Sequence, residues 1–180
     1  MATATSHLTL EEFHRRFGDS EKPYREYWFG EVVAKPMATV LPGVVQFVLM
    51  LLLHARGWKS ASEVRLEISG EFEPVPDVIA SRERLEQPYP TKPLELCVEI
   101  LSPEDRLKKV FEKAGYYLSF GVKYVWIVDP QARTAWIVSA EFPQGVWIHP
   151  DGALTAGDDL RIELREIFEE VDRLVADAVH

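Results

Sequence analysis

A carboxylate lies within an apolar segment of the chain, where it needs a partner. Glu99 belongs to the run Leu94-Glu95-Leu96-Cys97-Val98-Glu99-Ile100-Leu101, which has the length and composition of a buried β-strand. Burying a polar group without a partner costs on the order of 2–7 kcal/mol. Pro76-Asp77 precedes this strand and Lys113 follows it. Two acids and a lysine are the residue types with which metal-dependent nucleases cleave phosphodiesters.

A divalent cation is one candidate partner for Glu99. Mg²⁺ prefers oxygen ligands and often binds through one or two carboxylates, water and substrate phosphate oxygens. Asp77, Glu99 and the backbone carbonyl of Ile100 could supply the protein ligands, while Lys113 would position the nucleophile or stabilise the developing charge. Two alternatives stay open. Asp77 could simply begin a strand or turn, and Glu99 could form a structural ion pair with Lys113 or Arg65.

The elements that would position these residues follow from periodicity and capping signals. Thr9-Leu10-Glu11-Glu12 is a capping box for a helix to about Phe17, and Ser102-Pro103 predicts the start of a helix to about Phe120. Further helices are predicted at about 42–56 and 164–178, and strands at about 24–33, 62–68, 76–80, 124–128, 134–138 and 146–149. This order indicates an α/β (α+β) fold with a mixed central sheet flanked by helices.

Several short motifs, in their order and spacing, resemble those of the Uma-type family of restriction-endonuclease-like proteins, a branch of the PD-(D/E)XK nuclease superfamily. They are Pro76-Asp77-Val78, Val98-Glu99-Ile100-Leu101-Ser102-Pro103, Lys113 with Tyr117, Gly121-Val122, and Trp126-Ile127-Val128-Asp129-Pro130. The resemblance covers about residues 8–172. It implies a restriction-endonuclease-like core and a Mg²⁺-dependent DNA endonuclease, with Mn²⁺ as a substitute cation.

The resemblance also implies roles for individual residues. The superfamily's lysine usually stands two residues after the second acid, a position that Leu101 occupies here, so Lys113 would take its place from the following helix, with Lys109 as the runner-up. We expect the Lys113 ammonium to face solvent or substrate, so that Lys113→Ala barely changes stability. Glu31, in Phe29-Gly30-Glu31, matches an acid that the family places near its first strand. It would be either a third catalytic acid or simply an exposed strand residue.

Composition limits the possible partners. The 180 residues are 47% hydrophobic with a net charge of −9, which suits one domain over residues 1–180 but argues against broad affinity for nucleic acid. DNA contacts should therefore be local, through the cationic stretch around Arg106, Lys108 and Lys109. A single cysteine, Cys97, excludes a disulfide framework and favours a reducing cytoplasm. No export signal or membrane span is evident.

The sequence thus predicts a cytoplasmic, metal-dependent endonuclease that binds DNA locally. The alternative is a catalytically degenerate domain of the same fold that keeps its acids as an ion-pair network and binds a protein partner or forms a homodimer.

Overall fold

The computed structural model describes residues 7–18, 24–35 and 38–176. The helices are α1 (Leu10–Phe17), α2 (Val40–Ala55), α3 (Leu107–Ser119) and α4 (Leu164–Ala176). The strands are β1 (Arg25–Trp28), β2 (Glu31–Ala34), β3 (Lys59–Ser62), β4 (Phe72–Glu73), β5 (Val78–Ser81), β6 (Leu96–Ile100), β7 (Tyr124–Asp129), β8 (Thr134–Ser139), β9 (Val146–Ile148), β10 (Ala153–Ala156) and β11 (Leu160–Glu163).

The largest sheet has six strands in the order β3-β5-β6-β7-β8-β9. Its pairs are antiparallel except β6 with β7, which are parallel. Parallel neighbours need a crossover connection, and α3 provides it between β6 and β7. The predicted mixed sheet flanked by helices is confirmed. Smaller sheets have the orders β2-β1-β4 and β10-β11.

The two faces of β6 contribute to two separate hydrophobic cores. Leu96, Val98 and Ile100 pack on the side of α2 and α4. Cys97 packs on the other side, among residues of α3 and β4. Because side chains alternate along a strand, Glu99 shares the face of Cys97 and points toward α3. This alternation fixes which helix can supply a partner for the carboxylate.

Some predicted boundaries are wrong for identifiable reasons. The segment 24–33 forms a hairpin instead of one strand, because Phe29 and Gly30 adopt φ values of 49° and 91° and turn the chain. The segment 62–68 does not continue as a strand, since Glu63 also has a positive φ of 54°. Ser102 does not cap α3: the Asp105 carboxylate accepts a hydrogen bond from the Ser102 amide, forming a turn before the helix.

Other expectations hold. The Thr9 capping box is present with both reciprocal hydrogen bonds, and β7 and β8 form the predicted hairpin. Cys97 is a buried free thiol, as expected of a core residue. None of the helices in the described ranges combines the length and apolar character needed to cross a bilayer. The last two residues of the predicted closing helix lie outside the described residues.

Candidate active site

The ends of two adjacent strands bring Asp77 and Glu99 to the same edge of the sheet. Strand β5 begins directly after Asp77, and β6 ends just after Glu99. These strands are antiparallel neighbours, with Val78 opposite Val98. The start of one strand therefore lies beside the end of the other.

The Asp77 carboxylate is built into the end of this strand pair. Its Oδ2 accepts a hydrogen bond of 2.6 Å from the Ile100 amide, and its own amide donates to the Val98 carbonyl at 3.1 Å. Its Oδ1 lies 2.7 Å from the Lys35 ammonium. Gln46 on α2 donates to the Asp77 backbone carbonyl at 2.8 Å. One carboxylate oxygen thus accepts a hydrogen bond from the neighbouring strand, and the other contacts the lysine ammonium.

The Glu99 carboxylate is held by two donors from α3. Its Oε1 lies 2.8 Å from the Lys113 ammonium and accepts a hydrogen bond of 2.6 Å from the Tyr117 hydroxyl. Arg65, the other partner considered, instead donates to the Phe17 and Gly18 carbonyls. Burial raises the pKa of Glu99 above its usual value, the Lys113 charge opposes this, and Asp77 adds to it. Glu99 Oε2 accepts no hydrogen bond from the described residues.

Lys113 is buried, with only 6% of its surface exposed. Its ammonium bridges Glu99 and Glu26, whose Oε1 lies 2.7 Å away. Burial alone would lower the pKa of Lys113, but these two carboxylates raise it above its ordinary value. The expectation that its head group faces solvent is wrong, because α3 lays Lys113 against β1 and β6. That it faces a substrate stays a prediction, since Lys113 lines the cavity described below. Its substitution should therefore cost stability.

Glu26 is a buried acid that the sequence reasoning missed. Its Oε1 also accepts from the Val75 amide at 2.7 Å, and its Oε2 accepts from the Trp28 indole at 2.9 Å. Because both oxygens already have donors, Glu26 positions Lys113 and is poorly placed to become an open ligand. Alternation along β1 puts Glu26 and Trp28 on one face, which was a weak signal that this acid points inward.

A cavity of about 450 Å³ joins these groups. Asp77, Glu99 and Lys113 line it, together with Lys35, Gln46 and Ile100. The exposed residues Arg106 and Lys109 line it as well, whereas Lys108 is exposed and is not a lining residue. The cavity therefore combines acids at the strand ends with cationic side chains from the start of α3.

The remaining predicted acid is placed differently. Glu31 is exposed at the start of β2 and does not line the cavity. The structure therefore brings together Asp77, Glu99, Ile100 and Lys113, but not Glu31. A role for Glu31 as a third catalytic acid stays a prediction.

The oxygen atoms at the strand ends suit a small cation that prefers oxygen ligands. The Glu99 Oε2 atom has no donor among the described residues, and Asp77 contributes Oδ1. The Ile100 carbonyl lies on the same side of β6 as the Ile100 amide, and that amide donates to Asp77. Two carboxylates and a carbonyl leave room for water and phosphate oxygens, as Mg²⁺ sites commonly do.

A tighter grouping of potential metal ligands lies elsewhere in the described residues, at His14, Glu67 and Glu73. There the imidazole of His14 contacts the buried Glu73 carboxylate at 2.7 Å. This group does not line the cavity. The carboxylate oxygens of Glu26, Asp77 and Glu99 do not all lie within 4.8 Å of one another. A cation at the strand ends would therefore depend on ligands from outside the protein.

The fold thus combines a mixed sheet and a β-α-β crossover with acids at two adjacent strand ends. The sequence matches the Uma2 family, described as "Putative restriction endonuclease", over residues 10–172. The chain belongs to this family, which confirms the resemblance inferred from its motifs. No curated protein matches the sequence.

A solved structure supports the same fold. A crystal structure from Anabaena variabilis, described as "a putative nuclease belonging to DUF820", matches with a TM-score of 0.72 and 22% identity, covering 91% of this chain and 99% of that one. A cryo-electron microscopy structure of a DrdV–DNA complex matches with a TM-score of 0.41 and 16% identity, covering 72% of this chain and 10% of that one.

Proposed function

We propose that this protein is a Mg²⁺-dependent endonuclease that hydrolyses phosphodiester bonds of DNA. The observation that carries the proposal is the convergence of Asp77, Glu99 and Lys113 on one cavity, with the lysine ammonium 2.8 Å from Glu99. Each comes from a different element, and each was singled out by its chemistry. Membership of a family described as restriction endonucleases supports the same reading.

In this proposal Asp77, Glu99 and the Ile100 carbonyl hold the cation. Such a cation supplies Lewis-acid stabilisation of the negative charge that grows on the phosphate during hydrolysis. Lys113 acts as a hydrogen-bond donor and fixed positive charge, because its raised pKa keeps it protonated and unsuited to be a base. Tyr117 and Glu26 are positioning residues that orient Glu99 and Lys113.

The approach of DNA depends on local charge. The chain carries a net charge of −9, so most of its surface should repel the phosphate backbone. Arg106 and Lys109 lie at the cavity, and Lys108 is exposed beside them. DNA binding should therefore be weak and salt-dependent, falling roughly tenfold or more between about 50 and 200 mM salt if three phosphates are contacted.

The central test compares Asp77→Asn with Asp151→Asn, which changes an exposed aspartate outside the cavity. Calorimetry should detect Mn²⁺ binding to the wild type and to Asp151→Asn, and Mn²⁺ should raise their melting temperatures by mass action. Asp77→Asn should lose both effects and stop cleaving DNA. It should still bind DNA with Ca²⁺, in a gel shift that higher salt weakens. Absence of Mn²⁺ binding in the wild type at saturating Mn²⁺, both without DNA and with a duplex that resists cleavage, would contradict the proposal.

One observation favours the alternative, a degenerate domain that binds a protein partner or dimerises. Glu26 and the two acids at the strand ends already have lysine partners: Lys113 contacts Glu26 and Glu99, and Lys35 contacts Asp77. Such a network could be purely structural. If no DNA complex forms at low salt with metal present, on duplex, single-stranded or branched substrates, the alternative becomes the better reading. Analytical ultracentrifugation would then test whether the protein forms a homodimer.

A further inference from the structure

Lys35 is a second lysine that lines the cavity, and no motif pointed to it. Its ammonium lies 2.7 Å from Asp77 Oδ1 and donates to the Val75 carbonyl at 2.6 Å. Only 10% of its side chain is exposed. Its backbone is also fixed, because the Lys35 amide donates to the Tyr24 carbonyl at 2.9 Å. Lys35 is thus held in place at the end of β2.

This contact engages the Asp77 carboxylate oxygen that is not hydrogen-bonded within the sheet. Asp77 Oδ2 already accepts from the Ile100 amide at 2.6 Å, inside the sheet. Oδ1 is engaged by Lys35 alone among the described residues. A divalent ion bound to Oδ1 would lie close to the Lys35 ammonium, and the repulsion between the two cations would favour displacement of the lysine.

We propose that Lys35 is a built-in competitor for the divalent cation at Asp77, and that it is released to the DNA phosphate when metal and substrate bind together. This inference rests on the proposed nuclease function. Lys35 holds the carboxylate in the free protein, which disfavours metal binding there. A phosphodiester in the cavity gives the displaced ammonium a new anionic partner.

The consequence is a coupling between two ligands. If DNA removes the competitor from Asp77, DNA raises the affinity for the cation, and by thermodynamic linkage the cation raises the affinity for DNA by the same factor. Free protein would then hold little metal at low concentrations. Metal would accumulate in the site mainly when substrate is present.

The chain offers a matched control for general electrostatics. Lys109 lines the same cavity and is exposed, and it forms no ion pair with the described residues. Removing its charge changes the field in the cavity without freeing Asp77. A difference between Lys35 and Lys109 variants therefore isolates direct competition from the overall loss of one positive charge.

The experiment titrates Mn²⁺, followed by electron paramagnetic resonance, into wild type, Lys35→Met, Lys35→Gln and Lys109→Met. Both neutral Lys35 variants should bind Mn²⁺ about tenfold or more tightly than wild type without DNA, whereas Lys109→Met should stay within about twofold. A phosphorothioate duplex that resists cleavage should tighten Mn²⁺ binding to the wild type. It should have a clearly smaller effect on the Lys35 variants.

The outcomes separate this inference from the function on which it rests. Measurable Mn²⁺ binding by the wild type, with equal affinity in folded Lys35→Met or Lys35→Gln, overturns the competitor role and leaves the nuclease proposal standing. An increase in Mn²⁺ affinity in Lys109→Met equal to that in the Lys35 variants also overturns the competitor role. Absence of Mn²⁺ binding in every variant, with and without DNA, overturns both. Two neutral replacements of different polarity keep the test decisive if one of them folds poorly.

Discussion

Replacing Lys113 by methionine removes the positive charge from a buried network and keeps most of the side-chain volume. Glu26 and Glu99, which lie 2.7 and 2.8 Å from the ammonium, then lose their shared cation. Glu26 keeps its bonds to Val75 and Trp28, and Glu99 keeps Tyr117. None of these remaining donors carries a charge, so two carboxylates stay buried without compensation.

The magnitude follows from the environment. Breaking a buried ion pair by removing one partner costs about 3–5 kcal/mol. For a chain of this size each kcal/mol shifts the melting temperature by about 2–4 °C, so the variant should melt roughly 6–20 °C lower than wild type. Lys123→Met is the control, because Lys123 is 65% exposed and pairs with Glu95 at 3.6 Å. Its cost should stay within about 1 kcal/mol.

The assay is urea unfolding at neutral pH, followed by circular dichroism and tryptophan fluorescence. A second variant, Lys113→Met with Glu26→Gln, should recover part of the lost stability because it removes one of the stranded charges. A loss below about 1 kcal/mol for Lys113→Met, equal to that of Lys123→Met, would refute the reasoning. It would mean that the two carboxylates are protonated or hydrated without the lysine.

Two further predictions concern other buried groups. Burial raises the pKa of Glu73 above its usual value, with His14 opposing, so the folded state binds its proton more tightly than the unfolded state and stability falls as pH rises through the folded pKa. The free energy of unfolding of Glu73→Gln should therefore fall less than that of the wild type between about pH 4 and 8. An equal pH dependence of this free energy in the two proteins, measured by urea unfolding, would contradict the prediction. Tyr117→Phe should cost about 1.5–3 kcal/mol, since its hydroxyl donates to a buried carboxylate. Tyr116→Phe, whose hydroxyl donates to the exposed Glu112, should cost clearly less, and equal melting shifts would count against a special role for Tyr117.

The core of the site could be predicted because its residues lie close to recognisable elements. Asp77 and Glu99 flank two apolar segments, and Lys113 lies on the helix that follows. Once the segments are adjacent strands joined to a crossover helix, the three residues converge. Alternation along β6 predicts that Glu99 and Cys97 share a face, and the structure places α3 on that side of the sheet.

Other parts of the site could not be predicted from local patterns. Glu26 and Lys35 lie on a hairpin far from Lys113 and Asp77 in sequence, and tertiary packing alone brings them together. The hairpin itself depends on positive φ values at Phe29 and Gly30. Of these two residues, only the glycine indicates a turn in the sequence. The start of α3 was misplaced because a turn through Asp105 competes with the Ser102 cap.

A missed pair of strands, in contrast, had a readable signal. In β11, Leu160 and Ile162 are buried while Arg161 is exposed, which is the alternation typical of a strand with one covered face. Gly157, with a φ of 68°, forms part of the turn that joins β10 to β11. The short length of both segments hid this pattern among loop residues.

The bond between Asp77 Oδ2 and the Ile100 amide also affects how any ligand of Oδ1 is bound. A surface aspartate loses side-chain freedom when it captures an ion, a cost of about 0.5–1.5 kcal/mol for a flexible side chain. Here the side chain is already immobilised when the sheet forms, so this entropy belongs to the folding reaction. Fraying of the last residues of β6 would release the carboxylate and weaken ligand binding without altering any residue of the cavity. Affinity at Asp77 is therefore thermodynamically linked to the local stability of one strand end.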